Sequence, residues 1–201
     1  LKLFRSSAPF ITIATIVVIS VIAVIVSYGL YLGYLDHGEP IIAMAALKMI
    51  EGQQIYPSFK SDLFTNNLYG PYLYFVNGAF LKVLGANTLT GKTAGLFAAT
   101  GSMAFIFFAY RHTRFHTATS WFALIAMGGF ILLNLPYSIW IRPDPFLVLL
   151  TTIAIFVIRR AENRDGYFDR ASWLTPLLIG LLGGVAVGFK IYAAAYIFPI
   201  A

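Results

Sequence analysis

Pro71-Tyr72-Leu73-Tyr74-Phe75-Val76-Asn77-Gly78-Ala79-Phe80-Leu81-Lys82-Val83-Leu84 is the stretch on which the architecture turns. It reads as an apolar helix that carries Asn77, Gly78 and Lys82 along its length. Whether it pierces a bilayer or lies along one decides which side every later loop faces. The surrounding composition makes a bilayer the natural solvent. Of the 201 residues, 59% are hydrophobic and only 11% are charged, with a mean hydropathy of +0.80. Soluble domains carry roughly 25% charged residues, and a water-soluble fold of this size has no means of hiding so much apolar surface.

Working outward, the first apolar run spans about Pro9 to Leu35, uncharged between Arg5 and Asp36. At 1.5 Å per residue it is long enough for ~30 Å of hydrocarbon with some tilt. A secretory signal has an apolar region of only about 7–15 residues, and this run ends in Tyr31-Leu32-Gly33-Tyr34, an aromatic interface belt. Further spans are expected over Leu89–Tyr110, Ala118–Leu135, Phe146–Ile158 extended at both ends, and Leu174–Ile200. Pro145 suits the first turn of the fourth span, where its missing N–H costs nothing. Pro40–Glu51 reads as a helix stopped by Gly52, with Ile41, Met44, Leu47 and Ile50 forming an apolar stripe that would lie on the membrane surface.

The net charge of +6 gathers at the ends of apolar runs, as membrane anchors do, and no basic stripe interleaved with aromatics suggests nucleic acid. Lys2 and Arg5, then Arg111 and Arg114, then Arg159, Arg160, Arg164 and Arg170 form three clusters. If Pro71–Leu84 does not cross, all three fall on the cytoplasmic side, as the positive-inside rule requires. The expectation is therefore an all-α polytopic protein with about five transmembrane helices in a single domain, residues 1–201. Juxtamembrane helices 40–51 and 71–84 lie in a first outer loop, 36–88. The N-terminus is cytoplasmic in a plasma (inner) membrane, and the chain reads as the front part of a longer protein.

That topology brings Asp36-His37-Gly38-Glu39 and Trp140-Ile141-Arg142-Pro143-Asp144-Pro145 to one outer face. Carboxylates three residues apart suit a base, a metal ligand or a cation receptor. They equally suit a solvated boundary pair, with Glu39 favouring the start of the next helix through its dipole. Arg142 and Asp144 form either a mutual surface ion pair or an arginine that holds phosphate with an aspartate orienting it. Lys190, within the last apolar run after Gly183-Gly184 and Gly188, must snorkel or meet an anion. The absence of cysteine excludes thiolate chemistry. The histidines show no metal spacing, and no Ser-His-Asp arrangement stands out. Ala86-Asn87-Thr88-Leu89-Thr90-Gly91-Lys92-Thr93 fits a loose P-loop expression, but without the preceding buried strand that a P-loop requires.

In order along the chain, these features resemble the N-terminal half of GT-C membrane glycosyltransferases, especially the protein-mannosyltransferase-like and aminoarabinose-transferase-like group. Asp36-His37-Gly38-Glu39 is similar to that family's acidic first-loop motif, and Glu51-Gly52-Gln53-Gln54-Ile55-Tyr56-Pro57 to its Gly…Tyr-Pro turn. Tyr69-Gly70-Pro71-Tyr72-Leu73 resembles the Tyr-Pro-Pro-Leu start of the second juxtamembrane helix. Arg142-Pro143-Asp144-Pro145 resembles the Arg-x-Asp turn, and Gly184 to Lys190 the glycine-rich helix with an outer lysine. The resemblance implies an inverting transferase that moves a sugar from a polyprenyl-phosphate donor to an acceptor on the outer face. It implies Asp36 as base with Glu39 beside it, Arg142 and Lys190 on the donor phosphate, and Asp144, Tyr69 and Tyr72 in support. Metal use varies across that superfamily, so no metal ligands are assigned and a divalent ion stays open as a cofactor. The expected partners are membrane lipids and the lipid-linked donor, with the acceptor open and no nucleic acid. A transporter, for which inverted or parallel repeats are expected and none is found, and a non-catalytic membrane subunit are the alternatives.

Overall fold

The structure, a computed structural model, describes residues 8–56, 69–111, 117–161 and 173–190. The basic residues Lys2, Arg5, Arg114, Arg164 and Arg170, with His112, His116 and Pro57, lie outside them. The fold is all-α, with seven helices among the described residues: α1 (Ala8–Leu30), α2 (Gly38–Ile50), α3 (Pro71–Leu84), α4 (Thr88–Arg111), α5 (Thr117–Leu133), α6 (Pro143–Ala161) and α7 (Leu174–Phe189). Among these residues, α1 and α4 are the two helices long and apolar enough to cross a membrane. The helices α5 and α7 are apolar but shorter, at 17 and 16 residues.

Local chemistry sets most of the boundaries. Asn87 Oδ1 accepts the backbone N–H of Thr90 at 2.9 Å, capping α4. Gly70 precedes Pro71 at the start of α3, and Gly85, with φ at +88°, ends it in a conformation that favours glycine. The helix α2 begins two residues before the expected Pro40 because Asp36 Oδ1 accepts the N–H groups of Gly38 and Glu39 at 2.5 and 3.1 Å. Gly52, with φ at +77°, closes it as expected. The expected last span is corrected more strongly. Helix α7 stops at Phe189, and Lys190 is extended (φ −156°, ψ 126°), so this lysine stands at the helix end instead of inside it. The remainder of that expected span, 191–200, lies outside the described residues.

Helix α4 is the hub, packing on α5 and α6 and also touching α1 and α3, while α7 lies on α6. Its buried face is built from small residues, including Gly91, Ala94, Gly95, Ala98 and Ser102. A Cβ at Gly95 would stand 2.7 Å from the Ile139 carbonyl oxygen, so only glycine admits the α5–α6 connection at this point. Helices α2 and α3 pair in the same way, with Gly78 of α3 against the Ala46 carbonyl. The expected apolar stripe of α2 therefore faces partly outward. Ile41 and Met44 are 57% and 54% exposed, while Ile42, Ala43, Ala45 and Ala46 are buried. Close helix approach selects the small residues for the inner face.

The long helices alternate in direction. The last turn of α1, the first turns of α4 and α6, and the last turn of α7 meet at one end, through Lys92 on Tyr28 and Tyr31 and through Asp144 beside Lys190. At the opposite end Arg111 donates to Thr117 at 3.0 Å, and Arg159 lies over the Tyr110 ring. Both ends of α3 belong to the first end. Its leading Gly70 N–H donates to the Phe189 carbonyl at 3.0 Å, and α4 begins just beyond Gly85, with Gly91 close to Tyr34.

Candidate functional site

Asp36 stands in the loop that follows α1, and its two carboxylate oxygens divide their work. Oδ1 caps α2, while Oδ2 accepts a hydrogen bond from Nη2 of Arg142, the residue just before α6. Gly38 makes that approach feasible, since a Cβ there would stand 3.0 Å from Nη2. Arg142 Nη1 donates to the Tyr69 hydroxyl at 3.1 Å, and the guanidinium carbon lies 4.3 Å over the Trp140 ring. Its Nε is buried and makes no hydrogen bond among the described residues. Burial opposes ionisation of Asp36. The Arg142 hydrogen bond, the Gly38 and Glu39 N–H groups and the arginine's charge outweigh it, and hold the carboxyl below its usual range. Burial likewise works against the Arg142 charge, and Asp36 and Tyr69 overcome it.

The sequence left open a mutual Arg142–Asp144 pair. Among the described residues these two side chains instead choose different partners, Arg142 taking Asp36 and Asp144 approaching Lys190 at 3.6 Å. The second pair is more open, with side chains 38% and 37% exposed. Tyr72 packs edge-on against Phe189 with ring centroids 6.2 Å apart, and Phe189 stacks on Phe146 of α6 at 4.9 Å. A Cβ at Gly70 would collide with the Gly188 carbonyl, and one at Gly188 with the Tyr72 ring. Asp36, Tyr69 and Arg142 thus form one cluster and Asp144 with Lys190 a second, and the Gly70 N–H on the Phe189 carbonyl, with Tyr72 against the Phe189 ring, joins the two into one patch. Beside Asp144, a cavity of about 490 Å³ runs between α5 and α6, lined mainly by apolar side chains and by Asn134, Tyr137 and Ser138.

Glu39 departs from its expected part beside Asp36. It is 0% exposed, and its oxygens are occupied: Oε1 accepts from the Tyr28 hydroxyl and the Ile141 N–H, and Oε2 from the Leu35 N–H at 2.5 Å. No face of this carboxylate is open to an acceptor. Lys92, the lysine of the P-loop-like stretch, is also 0% exposed, and its ammonium donates to the carbonyls of Tyr28 at 2.9 Å and Tyr31 at 2.6 Å. It caps the last turn of α1 and lies over the Tyr28, Tyr31 and Tyr34 rings, out of reach of any nucleotide. Sequence reasoning missed this cap, Gly38 and Trp140. A lysine in the second turn of an apolar helix was the available signal for the first. Among the described residues no group of three or more His, Cys, Asp or Glu stands where it could hold a metal ion. No protein-family model, curated protein or solved structure matches the chain. A functional reading therefore rests on the site's own chemistry.

Proposed function

We propose that the chain is the N-terminal part of a GT-C-like membrane glycosyltransferase that takes a sugar from a polyprenyl-phosphate donor on the outer face of the membrane. The observation that carries this reading is the Asp36–Arg142 pair, a carboxylate and a guanidinium at one end of the bundle, with Lys190 on the same patch. A donor phosphate would compete with Asp36 for Nη2 of Arg142 and draw on Lys190, stabilising the charge that develops on the leaving phosphate. Asp36, released from the guanidinium, would take the proton of the acceptor hydroxyl as that oxygen attacks the anomeric carbon. The anomeric C–O bond to phosphate breaks as the new C–O bond forms, and polyprenyl phosphate leaves with the bonding electrons. The apolar cavity beside Asp144 gives the lipid chain a place close to that phosphate.

Five spans, formed by α1, α4, α5, α6 and α7, with α2 and α3 along the outer surface, are part of the same proposal. Both ends of α3 lie at the site end of the bundle, which favours a helix that grazes the bilayer. The exposed Ile13, Ile16, Ile19 and Ile22 of α1 and Leu174, Leu177 and Leu181 of α7 favour a lipid surround. Reporter fusions within residues 112–116 and in the 36–56 segment should then report opposite sides of the membrane. In the full-length protein, Asp36→Asn should abolish transfer from a polyprenyl-phosphate-linked sugar while the protein stays folded. Full turnover by that variant would remove the assigned base, and absence of transfer by the parent protein would favour a non-catalytic subunit.

A further inference from the structure

We propose that Glu39 is the positioning residue of the Asp36–Arg142 pair, its one carboxylate pinning the backbone directly ahead of each partner. The two backbone N–H groups it holds belong to Leu35 and Ile141, the residues immediately before Asp36 and Arg142. These two loops come from distant parts of the chain, the α1 exit and the α5–α6 connection. A single buried side chain fixes the span between them. The proposal rests on reading Asp36 and Arg142 as the reacting and phosphate-holding groups, but the geometry it asserts is testable without any substrate.

The residue type matters. Among the described residues, every group hydrogen-bonded to the Glu39 carboxylate is a donor: two backbone N–H groups and the Tyr28 hydroxyl. An ionised carboxylate offers acceptor sites only, whereas a glutamine in its place turns an amide N–H₂ toward a donor. Tyr28 is fixed in turn, because its backbone carbonyl takes the Lys92 ammonium, which stands 4.4 Å from its ring. The knot therefore couples α1, α2, α4 and the loop before α6. A buried charge is costly unless its hydrogen bonds are complete, so loss of one partner moves the backbone it holds. The consequence falls on Asp36 and Arg142, since each is one residue away.

The test uses cross-linking of introduced cysteine pairs by a short bismaleimide in the full-length membrane-embedded protein. The 201 residues contain no cysteine, so a pair introduced into them is the only pair within them. Asp36→Cys with Arg142→Cys reads the apposition of the two loops. Phe105→Cys with Phe156→Cys reads packing toward the other end, where the native rings lie 5.6 Å apart. Adding Glu39→Gln should slow cross-linking of the 36/142 pair about tenfold, as expected for lost hydrogen bonds to a charged group, and leave the 105/156 pair unchanged. An unchanged 36/142 rate, or an equal fall in both pairs, would overturn the proposal, the latter because it marks general loosening. If Glu39→Gln does not give folded protein, Glu39→Asp takes its place: the charge stays but the shorter arm fails to reach both N–H groups. The same selective loss supports the proposal, and a full 36/142 rate refutes it. Selective loss of 36/142 cross-linking alongside full turnover by Asp36→Asn would fail the transferase reading alone, and an unchanged 36/142 rate alongside an inactive Asp36→Asn would fail this inference alone.

Discussion

Arg142 donates to Asp36 across a sequence separation of 106 residues, joining the loop after α1 to the start of α6. The pair is part-buried, and the carboxyl is held below its usual value of 3.8 despite the burial that opposes its charge. In an unfolded chain the group titrates near that usual value. Its stabilising contribution is therefore complete above the unfolded pKa and is lost as pH falls through the lower folded one. The melting temperature should fall as the pH is lowered below about 4, and Asp36→Asn should weaken that dependence while costing about 1–3 kcal/mol at neutral pH. Thermal melts from pH 3 to 7 check it; an identical acid limb in the variant would mean the pair is not formed in solution.

The Asp144–Lys190 pair should behave differently. Its side chains are more than a third exposed, and such pairs contribute less than about 1 kcal/mol. Lys190→Ala should leave the melting temperature nearly unchanged yet raise the KM for a polyprenyl-phosphate donor on the order of tenfold or more, if the ammonium holds phosphate. A large drop in stability with no change in KM would make Lys190 a structural residue.

How much of this was legible in the sequence depends on whether the cause is local. The helices follow from long apolar runs, and Gly52, Gly85 and Pro143 mark ends that glycine or proline geometry dictates. The α1 end is another matter. The apolar run continues to Leu35, but the helix ends at Leu30, and the carbonyls of its last turn go to a lysine more than 60 residues away. Glu39 read as a boundary acid because burial of a carboxylate depends on partners from three separate segments, which spacing does not reveal. The grouping of Asp36, Arg142 and Lys190 followed from charge placement and helix alternation. The choice of Asp36 over Asp144 as the partner of Arg142 did not, because side-chain direction at the start of α6 is set by Trp140 and Tyr69.

The glycines of α7 make a second contrast. Gly188→Ala drives a methyl group into the Tyr72 ring, and should cost about 1–3 kcal/mol and loosen α7 from α3. Gly180 and Gly184 are exposed, with open space where a Cβ would stand. Alanine at either should be neutral or stabilise by up to about 1 kcal/mol through helix propensity. Melts of the three single variants check the order. A loss at Gly184 as large as at Gly188 would mean that another segment packs on that face.

Lys92 gives the sharpest stability test, because it is fully buried. Its ammonium satisfies two carbonyls at the end of α1 that have no further turn of helix to donate N–H groups to them. Methionine matches the length and apolar stem of lysine but donates nothing. Lys92→Met should therefore leave both carbonyls unmet in a buried setting and cost about 2–4 kcal/mol. Arginine keeps the charge but brings a planar fork where a compact ammonium sits among three tyrosine rings, so Lys92→Arg should recover only part of the loss. Millimolar ATP should change the melting temperature of neither the parent nor the variants, since the lysine is sealed from any nucleotide. Parent-like stability of Lys92→Met would refute the cap, and a rise in melting temperature with ATP that Lys92→Met abolishes would restore the phosphate-loop reading of this segment.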